Sequence, residues 1–257
     1  MAHRTARSLR HEYDIYVERE IEDYKESVPR HVILAIGDDA VASLRAQEQL
    51  ALDEMVLWDE VDRIIKQRLR IPTYQTWRRR RLKMLAKYKQ PEHWGLLPDE
   101  PLVRAIQATQ ESHVLVAGAN MQSAALYLAA QGCEVTALEP AAEVVERVLS
   151  AAEAAGLTAR VRGCVTDLGH WRPDVPLQAV VCTPAAFEGL TLIERSRVIE
   201  LLQGATTDGG VHLVETIVAG QTAMTVEELR SSYEGWDISV ERDPGAVPCF
   251  LARKGLA

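Results

Sequence analysis

The chain has 257 residues, 47% of them hydrophobic and 26% charged, enough for one large domain or a medium one with a smaller companion. It holds no run of about 18 apolar residues, so no membrane-spanning helix is expected, and the N-terminal MAHRTARSLRHEYD is basic without the apolar core of a secretory signal. The net charge of −8 divides unevenly, with 18 Lys/Arg against 16 Asp/Glu in residues 1–97 and 11 against 21 in residues 98–257. Two electrostatically different parts follow, and the second is no general nucleic-acid binder.

From about Ser8 to Ser27, Leu9, Tyr13, Tyr16, Val17, Ile21 and Tyr24 recur at three- and four-residue steps, predicting a helix that Pro29 ends. A short apolar run, His31–Ile36, leads to Gly37-Asp38-Asp39, where Asp38 or Asp39 caps a helix starting at Ala40. That helix runs towards Leu69 with a break near Gln49. Pro72 stops it, and Thr73 or Thr76 starts another through Trp77, Leu82, Leu85 and Tyr88. Residues 63–89 hold 11 Lys/Arg and no acid, with Tyr74, Trp77 and Tyr88 interleaved. This stretch reads as a solvated helix face packed through Trp77, Leu82 and Leu85, as a surface for RNA or another polyanion, or as a dock for a protein partner. Pro91 and Gly95-Leu96-Leu97-Pro98 read as a connector, so the expected domains are a helical 1–97 and a second domain, 98–257.

The second part alternates strand and helix. Strands are predicted at 113–117, 134–138, 160–164, 178–183, 210–215, 236–241 and 247–253, and helices at about 99–109, 121–131, 141–155, 191–203 and 225–233. HVLVAG, LQAVVCT and VHLVET are apolar throughout, as parallel strands buried on both faces are. The last two strands flank the turn Arg242-Asp243-Pro244-Gly245-Ala246 and form an antiparallel hairpin. The expected fold is α/β: a doubly wound, seven-stranded, mostly parallel sheet with that hairpin at its C-terminus, preceded by an α-helical N-terminal domain. Cys133, Cys164, Cys182 and Cys249 form no CxxC pair and fall in or beside strands, which reads as reduced, buried thiols in a cytoplasmic protein, with no metal site.

Ligands of open parallel sheets bind at the carboxyl ends of the strands. Strand one ends at Gly118, followed by Ala119 and Asn120, and this glycine permits a tight turn and close backbone approach. Strand two ends at Glu139-Pro140. The Glu139 carboxylate accepts from both hydroxyls of a ribose, or caps the next helix. Asp167, after strand three, accepts from an exocyclic adenine amine with Leu168 against the ring, or is a turn residue. Thr183 opens the loop after strand four. The catalytic base is not fixed by these residues. His170 in the Gly169-His170-Trp171-Arg172 loop and Glu215 at the end of strand five are candidates, beside the plainer reading of surface polar groups.

Residues 112–220 resemble class I S-adenosylmethionine-dependent methyltransferases, nearest to the tellurite-resistance and thiopurine type. The resemblance is carried by Ala124-Ala125-Leu126-Tyr127-Leu128-Ala129-Ala130-Gln131-Gly132, Val135-Thr136-Ala137-Leu138-Glu139-Pro140, Asp167-Leu168 and Gly209-Gly210. The terminal hairpin matches the family's reversed sixth and seventh strands. The likeness implies S-adenosylmethionine as cofactor, with Gly118 by its methionine part, Glu139 on the ribose and Asp167 by the adenine. It implies methyl transfer to a small-molecule acceptor, under a helical cap that brings Tyr13, Tyr16, Trp58 or Trp77 to the acceptor. The first motif departs from the family pattern, with Val116, Asn120 and Gln122 where an acid and two glycines are usual. Two other expectations stand beside this one: a methyltransferase fold that serves as a non-catalytic binding or scaffold module, and an RNA-directed methyltransferase using residues 63–89.

Overall fold

The computed structural model describes residues 8–46, 54–106, 112–118, 121–216, 224–241 and 248–256. By packing, the chain divides into two compact units, Met1–Met84 and Leu85–Ala257.

The first unit is helical. Helix α1 (Leu9–Ser27) starts where the Ser8 hydroxyl accepts from the His11 amide and ends at Val28, before Pro29. Helix α2 (Arg30–Ala46) follows at once. This corrects the expectation of an apolar run and a new cap at Asp38 or Asp39, because α2 passes unbroken through Gly37. Its buried Ile36, Ala40 and Leu44 form an i, i+4, i+8 stripe, and burial of that stripe outweighs the roughly 1 kcal/mol that a mid-helix glycine costs. The break expected near Gln49 lies outside the described residues. Helix α3 (Glu54–Arg68) brings Val61 and Ile65 against Ile21, Ile36 and Ala40 to make this unit's core. Glu60 is buried there. Its carboxylate takes a two-pronged hydrogen bond from Arg63, both arms 2.6 Å, and Arg63, then Ser43, lower its pKa to about 2 against the cost of burial. Helix α4 (Tyr74–Tyr88) has no fully buried residue.

The second unit is built on a seven-stranded sheet: β1 (His113–Ala117), β2 (Glu134–Glu139), β3 (Val161–Val165), β4 (Leu177–Cys182), β5 (Thr206–Glu215), β6 (Asp237–Glu241) and β7 (Cys249–Arg253). The strand order is β3-β2-β1-β4-β5-β7-β6. Strands β1 to β5 pair in parallel, while β7 is antiparallel to both β5 and β6. The expected hairpin pairing is therefore present, but only β7 is reversed: it inserts between β5 and β6, and β6 runs with the first five. The predicted turn, 242–246, lies outside the described residues.

Helices α5 (Pro101–Ala105), α6 (Gln122–Gln131) and α7 (Ala142–Ala155) cover one face of the sheet around Val114, Val116, Val135, Ala137 and Val181. Helices α8 (Leu192–Ala205) and α9 (Val226–Ser232) cover the other, around Leu115, Ala117, Leu138, Val180, Cys182 and Val214. The central strands are thus buried on both sides, which is why their sequences are apolar without alternation. A reciprocal cap starts α8: the Thr191 hydroxyl accepts from the Glu194 amide, and the Glu194 carboxylate accepts from the Thr191 amide. Residues 85–97 pack with this unit. The Trp94 indole donates to the Tyr88 carbonyl at 2.7 Å, the Gln131 side chain donates to the Lys89 carbonyl at 2.8 Å, and Tyr88, Trp94 and Leu96 lie against the core of the α5–α7 face. Of the helix predicted at 99–109, residues 107–109 lie outside the described residues. No described helix is long and apolar enough to cross a membrane.

Candidate cofactor site at the strand ends

Sheet register aligns the sequence candidates. Ala117 pairs with Leu138 on one side and Cys182 on the other, and Cys182 pairs with Val214. The next residue of each strand therefore falls in one transverse row at the carboxyl edge, in the order Glu139, Gly118, Thr183, Glu215. With strands about 4.8 Å apart, the row spans about 14 Å. Leu138, Ala117, Cys182 and Val214 all face the α8–α9 core. Strand alternation then turns Glu139, Thr183 and Glu215 towards the α5–α7 face.

Gly118 holds the centre of the row. Its φ is +98°, and a Cβ built there would come within 2.2 Å of Thr183 Oγ1 and 2.9 Å of the Ala186 amide nitrogen. The Gly118 amide donates to the Leu138 carbonyl at 3.1 Å, and the Thr183 amide donates to the Ala117 carbonyl at 3.0 Å. Its missing side chain thus makes room for the loop after β4, a reason that the sequence alone did not supply. The Gly118→Ala variant should lose about 2 kcal/mol or more through left-handed strain and overlap, lowering Tm by about 4–8 °C. Adding Thr183→Ala should recover part of that loss. A thermal melt of Gly118→Ala matching wild type would show that the overlap does not constrain the fold. Ala119 and Asn120 lie outside the described residues.

Two buried polar atoms in this row lack a hydrogen-bond partner among the described residues: Glu139 Oε2 and Thr183 Oγ1. They flank Gly118 on β2 and β4. Burial raises the Glu139 pKa, the Ala141 amide that donates to the carboxylate lowers it, and Glu188 and Glu143 raise it further. The ribose and capping readings of Glu139 are therefore compatible, since one amide at the start of α7 is satisfied and one oxygen remains open. Pro140 is exposed. Unpartnered buried groups of this kind cost about 1–3 kcal/mol each, and a bound water, ion or ligand ordinarily satisfies them. Beside them, α6 begins at Gln122 with no side-chain cap among the described residues, and first-turn amides of a helix are the groups that meet anions. Met121 is buried with the α5–α7 core.

The remaining candidates are placed differently. Asp167 forms a local turn. The His170 ring lies 2.8 and 2.9 Å from its two carboxylate oxygens and the His170 amide donates at 3.0 Å. Desolvation pushes the Asp167 pKa up, but the bonds from the His170 side chain and from the His170 and Gly169 amides outweigh it and lower the pKa. The His170 side chain is 84% exposed. Leu168 is buried with Trp171 and Phe187 in the α8–α9 core. Glu215 is half-buried and has no ion pair or hydrogen bond to its side chain among the described residues. Burial raises its pKa, and Glu100 adds to the shift. Its partner across β7, Cys249, is pushed up to about 12 by burial, then by Glu215 and Glu241. Sequence reasoning missed Glu188 and Ala186, which the short 3₁₀ turn Pro184–Phe187 carries to the row. The proline at its first position was the available signal.

Two cavities lie elsewhere. One of about 340 Å³ sits at the amino ends of β4 and β5, lined by Pro173, Asp174, Gly204 and Thr206 among others, and one of about 490 Å³ lies between α1 and α3. Tyr13, expected to reach the acceptor, lines the second, and no strand-end candidate lines either. The row, with its open polar atoms, is the better-supported site.

No protein-family model and no curated protein matches the chain. Among solved structures, TehB from Haemophilus influenzae is 18% identical, with a TM-score of 0.51 over 60% of this chain and 61% of TehB. This chain therefore spans less than two thirds of TehB. The N-methyltransferase NodS from Bradyrhizobium japonicum, in complex with S-adenosyl-L-homocysteine, is 15% identical, with a TM-score of 0.49 over 67% of this chain and 96% of NodS. A SAM-dependent methyltransferase from Methanosarcina mazei is 16% identical, with a TM-score of 0.49 over 63% of this chain and 100% of its own. Strand order and the likeness to TehB give the second unit the Rossmann-like fold of class I methyltransferases.

Proposed function

We propose that the second unit binds S-adenosylmethionine across the carboxyl ends of β1, β2 and β4 and transfers its methyl group to a small-molecule acceptor beside Glu215. The observation that carries this reading is the pair of open buried atoms, Glu139 Oε2 and Thr183 Oγ1, on either side of Gly118. Glu139 would accept from the ribose hydroxyls. The uncapped amides of α6 would meet the carboxylate of the methionine end, and Thr183 would face the middle of the ligand. Asp167 and Leu168 would border the adenine, and Pro140 would complete the wall. When bound, the cofactor supplies an electrophilic methyl group on a sulfonium.

The chain's own part is to orient the acceptor, exclude water and take up a proton. Glu215 stands one strand beyond Thr183, about 5 Å along the row. Burial and Glu100 raise its proton affinity, which suits a base that accepts the acceptor's proton. His170 suits that task less, because its ring is engaged with Asp167. All four cysteines are unpaired, which supports a reducing compartment such as the cytoplasm. Isothermal titration with S-adenosylhomocysteine tests the proposal. Saturable heat in the micromolar range is expected, and no heat at high micromolar ligand would remove it.

A second reading, a methyltransferase fold that serves as a non-catalytic binding or scaffold module, is favoured by Val116. This residue is fully buried and apolar where the family usually has an acid, so the site offers no carboxylate there for a ligand's ammonium. No binding of S-adenosylhomocysteine, with no consumption of the methyl donor by any small-molecule fraction, would select it.

A further inference from the structure

We propose that α4 carries a binding surface for single-stranded RNA, formed by Arg79, Arg80 and Lys83 beside the ring pair Tyr16–Trp77. This inference is independent of the methyl-transfer reading. Five basic residues of the helical unit have acidic partners: Arg10 with Asp14, Lys25 with Glu22 and Asp62, Arg63 with Glu60, Arg68 with Asp39, and Arg81 with Glu12. Arg79, Arg80 and Lys83 are exposed and form no ion pair among the described residues. Residues 63–89 contain no acid that would neutralise them along the chain.

The shape of the face selects the partner. At 3.6 residues per turn, Arg79, Lys83 and Arg80 lie in an arc of roughly 100°, with Thr76 among them. The exposed Leu82 and Met84, each 42% accessible, lie outside the two edges of that arc, roughly 160° apart on the far side. The arc itself has no apolar centre of the kind that a protein interface is built around. A polar, cationic face of this kind fits a phosphodiester backbone.

The aromatic pair adds a feature suited to single strands. Tyr16 and Trp77 are half-buried and stacked, with ring centroids 6.2 Å apart and planes 27° from parallel. Arg80 and Arg19 act electrostatically on Tyr16, as do Glu20 and Tyr13 with opposite sign. Cations beside part-exposed rings are how proteins hold unpaired bases and their phosphates together. The four unpaired thiols fit a reducing compartment, where single-stranded phosphodiester polymers are overwhelmingly RNA.

Fluorescence anisotropy of a labelled 20-nucleotide single-stranded RNA with the full chain at about 50 mM NaCl tests this. Micromolar binding is expected, with log K falling against log salt at a slope of about −2 for three neutralised phosphates. The variant Arg79→Glu/Arg80→Glu/Lys83→Glu should bind at least tenfold more weakly and keep wild-type helicity by circular dichroism, since all three side chains are exposed. Equal RNA binding by that variant, or no RNA binding by wild type at this salt, would overturn the proposal. Preference for phosphatidylserine vesicles over RNA would also overturn it, by assigning the face to a membrane.

Discussion

Replacing Glu139 with alanine is expected to weaken S-adenosylhomocysteine binding by about 100-fold or more while leaving the free protein as stable as wild type or more so. Hydrogen bonds to a charged acceptor contribute about 1.5–3 kcal/mol each, and the carboxylate has one buried oxygen with no partner among the described residues. Two ribose hydroxyls lost from it amount to about 3 kcal/mol, close to 100-fold in Kd. In the free protein the same oxygen is a burden of about 1–3 kcal/mol, because its desolvation is uncompensated. Burial, with Glu188 and Glu143 nearby, raises the carboxyl pKa, which reports the same strain. Alanine removes it. The opposite signs separate a binding role from a structural one. Titration calorimetry and a thermal melt on the same preparation read both. A variant that binds as wild type, or that loses binding only because it unfolds, would count against the assignment.

The second large effect concerns pH and lies in the α8–α9 layer. His212 on β5 is fully buried. Its Nε2 is 2.7 Å from Thr206 Oγ1 and its Nδ1 is 2.7 Å from the Tyr233 hydroxyl. The Thr206 hydroxyl donates to the Leu202 carbonyl at 2.7 Å. One proton arrangement satisfies every group: Tyr233 donates to Nδ1, Nε2–H donates to Thr206, and Thr206 donates onward. That arrangement requires a neutral imidazole. Burial, with Lys254 nearby, pushes the His212 pKa down to about 3 from its ordinary value of about 6.5.

The unfolded chain therefore binds the proton first. The stabilisation is complete above pH 6.5 and is lost as pH falls towards 3. At about 1.4 kcal/mol per pH unit, lowering pH from 7.5 to 5.0 should remove about 2 kcal/mol through this group, and about 4–5 kcal/mol by pH 3. Glu139 and Glu215, whose pKa values are raised, act in the opposite sense over part of this range. The comparison with His212→Gln isolates the histidine. Urea unfolding of wild type should weaken more steeply between pH 7.5 and 5.0 than that of the variant, by about 2 kcal/mol. Parallel pH profiles would show that His212 does not remain neutral in the fold.

Much of the sheet was legible because its strands obey one rule. HVLVAG and VHLVET are apolar at successive positions, and only a strand covered on both faces needs that. The first unit was less legible at α2, where Gly37-Asp38-Asp39 has turn composition but the Ile36–Ala40–Leu44 stripe holds the helix through it. The placement of β7 between β5 and β6 was not readable either, since a hairpin sequence fixes which strands pair but not which of them meets β5. Each member of the site was found as a strand end. Their common row was not, because it depends on register across β2, β1, β4 and β5. The same dependence hid the second purpose of Gly118, to admit Thr183, and the engagement of Asp167 by His170, which arises from the turn that joins them.

The most direct measurement is a crystal structure of the protein grown with millimolar S-adenosylhomocysteine. The account predicts the ligand along the carboxyl ends of β2, β1 and β4, with both ribose hydroxyls in hydrogen-bond contact with Glu139 and its thioether sulfur on the Thr183 side of Gly118. A ligand bound elsewhere, or strand ends closed by the chain's own side chains at that concentration, would contradict it.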